Sequence, residues 1–195
     1  MRNVFAFFLV LAAIATAAVP ATADSLPLAT SAAARTQDRL GSLFGELKRE
    51  RNERAAERIA TKIQEEWKNS GSASIDLMMQ WSRTATEARK FDVALDFLDQ
   101  VVTLSPDYAE GWNRRATVHF MMQNLGKSMT DIDRTLRLEP RHFGALAGLA
   151  QIMSLRGHKE LALDAYQRLL DVYPMMRSAQ SEISTLSEEL AGEGI

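Results

Sequence analysis

The residues of this 195-residue chain that could do chemistry are few and poorly grouped. Gly126-Lys127-Ser128 matches the tail of a phosphate-binding loop. Such a loop also needs a glycine five residues earlier, where Met121 stands, and a preceding strand, which the surrounding pattern lacks. His119, His142 and His158 have no histidine or carboxylate placed at i+3 or i+4 in a metal-binding pattern. His119 falls on a helix column shared with Ala85 and Met153, which reads as core. Asp131 and Asp133, two apart on a helix, point to different sides and cannot share a proton as an acid/base pair. No serine sits in a nucleophile elbow. The absence of cysteine excludes disulfides, thiolate metal sites and thiol nucleophiles. The stretch Glu46–Arg58 interleaves both signs, so it makes a salt-bridged solvated face, and the formal net charge of −2 gives nothing for nucleic acid to bind. The expectation is a non-enzymatic chain with no catalytic, cofactor or metal site and no nucleic-acid partner.

The elements that carry these residues follow one period. Pro106, Pro140 and Pro174 are each 34 residues from the next. On that period Ala94, Ser128 and Ala162 align as a small column, Leu98, Ile132 and Tyr166 as a large apolar one, and Met78, Trp112 and Leu146 as another. Each unit reads as two helices. In the first clear unit a helix over 75–88 places Met78, Trp81, Ser82 and Ala85 on one face, and a second over 91–104 places Ala94, Leu95, Leu98, Val101 and Val102 on another. Pro106 ends that helix, because proline lacks a backbone N–H and disfavours helix in the residue before it. Asp107 with Glu110 three residues on predicts a capping box for the next helix.

These columns resemble the tetratricopeptide repeat (TPR), through Trp112 and Ala116 in a first helix, Phe91, Ala94, Ala162 and Tyr166 in second helices, and the three closing prolines. Arg115, Ser128, Thr135 and Leu169 depart from the family pattern. The resemblance implies an all-α, right-handed α-solenoid of about four helix pairs plus a C-terminal capping helix. The boundaries read from the sequence are a degenerate first pair over 36–73, repeats over 74–107, 108–141 and 142–174, a capping helix over 175–191 with Gly192 as its C-cap, and a tail over 192–195.

Ahead of the repeats, Arg2, the apolar run 4–19 and Ala21-Thr22-Ala23 have the order of a secretory signal peptide cut after Ala23, followed by a flexible leader over 24–35. The run is short for a membrane span, which needs about 20 residues. The expectation is a periplasmic or secreted protein with no span after cleavage.

In TPR stacks the first helices line a concave groove that takes protein or peptide partners. Subtracting the core stripe leaves Asp76, Met79 and Arg83 in the first repeat, Asn113, Arg114, Thr117, Phe120 and Met121 in the second, and Gln151 in the third. Arg83, Asn113 and Arg114 offer directional hydrogen bonds, and the methionines and Phe120 adaptable apolar contact. The alternatives are a self-assembling module, a homo-oligomer joined through the terminal helix or an exposed Trp67 end, and a ligand-binding accessory subunit.

Overall fold

The computed structural model describes the backbone of residues 26–193 and the side chains of residues 34–192. The expected signal peptide and its cut after Ala23 lie outside them. Among the described residues there are nine helices and no strand: α1 Leu26–Arg49, α2 Glu53–Lys68, α3 Ala73–Glu87, α4 Phe91–Leu104, α5 Ala109–Met121, α6 Leu125–Leu138, α7 Phe143–Leu155, α8 Lys159–Val172 and α9 Arg177–Glu193. The chain is a right-handed α-solenoid.

The pairs α3–α4, α5–α6 and α7–α8 stack in order, and α9 packs on α8. Close approach within a pair depends on the small column. Ala94 and Ala162 are 0% exposed, and the Ser128 hydroxyl donates across its pair to the Ala116 carbonyl at 2.8 Å. Ser128 thus replaces the usual alanine without leaving a buried hydroxyl unpaired. Each turn inside a pair is built the same way. Arg89, Gln123 and Gly157 share one register and all have positive φ (56°, 61° and 75°). The following N–H then reaches back to the carbonyl of Ala85, His119 or Met153, closing the helix end as a Schellman motif.

Four sequence expectations about the helices are corrected. The first helix starts at Leu26, so residues 26–35 are helical rather than a flexible leader. Ala29 and Ala32 to Ala34 favour helix, and Pro27 sits in the first turn, where its missing N–H costs nothing. The Asp107–Glu110 capping box does not form: Tyr108 is the N-cap of α5, Asp107 pairs with Arg134, and Glu110 turns inward. Trp81 is 47% exposed instead of buried in its pair, with its ring 5.3 Å from Phe97. Gly192 lies within the last turn of α9 instead of capping it.

The α1–α2 hairpin is where the molecule departs most from a simple stack. It does not pack against α3 as α4 packs on α5. Its apolar stripe (Leu40, Phe44 and Leu47 on α1; Ala56, Ala60, Ile63 and Trp67 on α2) instead joins one core with α7, α8 and α9. The contacts along α2 show its course. Near its start Glu53 pairs with Arg177 at the head of α9 (3.0 Å), and at its end Trp67 meets His142 and Phe143 at the head of α7. Just beyond, the Tyr108 hydroxyl donates to the Lys68 carbonyl at 3.1 Å. A helix of this length spans about 24 Å, enough to lie across the proline-bearing loops that join the repeats. Trp67, expected at an exposed end, is 8% exposed inside this junction.

Candidate functional site

The concave side forms a trough along α3, α5 and α7. A cavity of about 180 Å³ between α3 and α5 includes Asp76, Met79, Arg83 and Arg114 in its lining. One of about 250 Å³ between α5 and α7 includes Asn113, Thr117, Phe120 and Gln151. A third, sharing Arg83 and Arg114 with the first and Thr117 with the second, connects them. The structure thus brings together eight of the nine residues picked from the sequence. Met121 is 45% exposed and lines none of the three.

The eight do not offer equal chemistry. The Asp76 carboxylate accepts from the Ser70 N–H (2.9 Å) and hydroxyl (2.6 Å), so it holds the Ser70-Gly71-Ser72 turn. Asn113 Nδ2 and Arg114 Nε both donate to the Glu110 carboxylate, at 3.0 and 2.6 Å. Arg83 is exposed and reaches Glu87 only at 4.0 Å, which leaves its guanidinium available to a visitor. The exposed Thr117 donates its hydroxyl to the Asn113 carbonyl at 2.9 Å. In the second cavity Gly144, Ala147 and Gly148 form a floor without long side chains, beside Phe120. A Cβ at Gly148 would stand 3.3 Å from Ile132 Cδ1, so even alanine there would press on the core.

Beneath the trough lies a buried polar cluster that the sequence reading did not find. Glu110 and His142 are 5% and 2% exposed, with His142 Nε2 3.1 Å from Glu110 Oε2. The Ala145 N–H donates to His142 Nδ1 at 3.2 Å, so the ring proton sits on Nε2 and donates to the carboxylate. The Trp67 indole stacks on the imidazole at 4.0 Å and 7°. Burial pushes the Glu110 carboxyl up, but the His142 hydrogen bond and the Arg114 charge outweigh it and hold it below the ordinary range. His142 and Tyr108 share one slot, the N-caps of α7 and α5, and Gly144 and Glu110 share another, in the first turns of those helices. Gly144 lies against the His142 ring, where a Cβ would stand in ordinary contact at 3.4 Å.

The other singled-out residues fall into structural roles. Arg115 donates to both Asp131 oxygens (2.8 and 2.7 Å) and to Asp99 at 2.9 Å, which explains an arginine in an apolar slot. Asp133 is exposed and pairs with Arg137. His119 is buried, and burial lowers its pKa. Gly126-Lys127-Ser128 opens α6 after a helix–helix turn, with no strand before it. Among the described residues no group of three histidine, aspartate or glutamate side chains could hold a metal, and no helix is long and apolar enough to cross a membrane.

No family model matches the chain. A TPR repeat-containing protein of Rhizobium etli is 51% identical over 162 residues, covering 83% of this chain and 79% of that protein. The first TPR of Spaghetti (RPAP3), solved bound to the HSP90 peptide SRMEEVD, superposes with a TM-score of 0.58 at 19% identity, over 62% of this chain and 95% of that one. The TPR2B domain of yeast Sti1, solved as a pHsp70 complex, gives 0.56 at 13% identity, over 60% and 99%.

Proposed function

Since the chain belongs to the TPR repeat-containing proteins, we propose that it is a non-enzymatic scaffold that binds a protein or peptide partner in the trough between α3, α5 and α7. The observation that carries this reading is the continuity of the three cavities, with an exposed guanidinium at Arg83 and a side-chain-poor floor beside Phe120. An extended peptide suits that shape: a charged group at the α3 end, an apolar side chain over the floor, and the Gln151 amide at the rim for its backbone. The solved TPR domains of similar fold that hold HSP90 and Hsp70 ligands support a peptide as occupant. We further place its work in the cell envelope, on the strength of the leader-like order of Arg2, residues 4–19 and Ala21-Thr22-Ala23.

The groove is tested with Arg83→Glu combined with Thr117→Tyr, both at exposed positions, in a pull-down from the envelope fraction of the source cells. Arg114 is left alone, because it neutralises buried Glu110. Specific partners held by the parent should be lost from the variant while its helical circular dichroism is unchanged; undiminished capture rules the groove out. Export is checked by N-terminal sequencing of the protein recovered from those cells. A start at Asp24 in the envelope is expected, and an intact Met1 in the cytoplasm refutes it.

A further inference from the structure

Each repeat turns one face toward the unit before it, and the chain itself shows what covers that face. In the α5–α6 pair it is built on Arg115, His119, Lys127 and Asp131, with Leu95 and Asp99 of α4 closing over it. One repeat earlier the same slots hold Trp81, Ala85, Val93 and Phe97, which line an open apolar recess of about 400 Å³ between α3 and α4. The covering positions, 34 residues before Leu95 and Asp99, are Thr61 and Glu65 on α2. Because α2 lies along the loop edge, no described helix packs over the recess. Trp81 is 47% exposed and Val93 43%.

We propose that this end face joins two copies of the chain, paired face to face about a two-fold axis. Three observations select a second copy. The recess takes a helix carrying apolar side chains at helical spacing, as α4 itself supplies Leu95 to the next unit. The α4 wall of the recess itself offers such a stripe: Val93, Phe97 and, beyond the recess, Leu104 at i, i+4 and i+11, with Leu104 67% exposed. One surface thus carries both halves of the contact, which is what an isologous interface requires. The rim is charged in both senses, with Arg89 and Lys90 at the α3–α4 turn and Asp92 and Asp96 in the first turns of α4. A two-fold lets the basic turn of one copy face the acidic turn of the other. Finally, the opposite end of the stack is closed by α9, whose outer side shows exposed Glu182, Ser184 and Glu188. That polar surface does not complement the apolar recess, which argues against a head-to-tail contact through α9. The recess shares no lining residue with the trough, so this pairing and the proposed peptide binding stand or fall separately.

The test is the mass of the full chain in solution, by light scattering after size exclusion from micromolar to millimolar concentration. The parent should move from one to two chain masses as concentration rises. Trp81→Glu and Val93→Arg should each stay at one, with the parent's helical circular dichroism. The chain has no cysteine, so Val93→Cys supplies a single thiol. A bismaleimide should link Val93→Cys into a covalent dimer and leave Ser184→Cys, on the outer side of α9, unlinked. A parent that stays monomeric throughout overturns the proposal. So does association that survives both face variants, which would place the contact elsewhere, the apolar residues 4–19 included. Linking only in a mixture of Val93→Cys with Ser184→Cys also overturns it, because that is head-to-tail contact.

Discussion

Glu110 keeps its charge inside the molecule because His142, Arg114 and Asn113 all donate to its carboxylate. An ionised carboxylate buried without such partners would cost several kcal/mol. The pKa of Glu110 is lowered on folding, so the sign of its pH effect is fixed. The stability it contributes is complete above the ordinary glutamate value of about 4.3 and is lost as pH falls through the lower folded value. Glu110→Gln keeps the shape but removes the charge that three donors address. It should cost about 1–3 kcal/mol at neutral pH and flatten the fall in stability on the acid side, measured as urea midpoints at a series of pH values. An unchanged acid limb would mean that other carboxylates set it. At this scale the sequence was legible where a residue's role is local. It showed Asp131 and Asp133 on different sides of a helix, and the buried Asp131 and exposed Asp133 agree. It was silent on Glu110 with His142, whose bond spans 32 residues, because no local spacing reports a contact across adjoining repeats.

The element that decides the architecture is α2. Its buried residues Ala56, Ala60, Ile63 and Trp67 follow i, i+4, i+7 and i+11, a single stripe of the kind that packs on one surface. Asn52 caps its start by accepting from the Ala55 N–H at 3.0 Å. Trp67 ties the stripe to the repeats through His142 and Phe143, with Phe44 of α1 5.9 Å away. Trp67→Ala should cost about 3–5 kcal/mol, read from chemical denaturation. Hydrogen exchange should show the loss of protection concentrated in α1, α2 and the head of α7, with α3 and α4 least affected. Equal loss along the whole stack would contradict the course assigned to α2. The stripe is readable in the sequence, but its target is not: an apolar face states that it must be covered, and leaves open by what.

A stack of repeats is nearly one-dimensional, each unit touching its neighbours, and its stability is close to a sum over units and interfaces. The hairpin changes that. It joins α7, α8 and α9 in one core and reaches the loop before α5, so contacts of long sequence separation link the units. It also leaves the α3–α4 face open, which a regular leading repeat would have covered. The sequence by itself determined the helices of the repeats, their 34-residue phasing, the proline stops and the candidates that gather in the trough. All of these follow from local propensity and period, which act within a few residues along the chain. Tertiary structure alone decided that the leading pair braces the loop edge, that Glu110 and His142 meet under Trp67, and that Trp81 faces outward. Those outcomes depend on which apolar surfaces find each other in space, and hydrophobic burial is non-directional, so the pattern along the chain cannot choose among them.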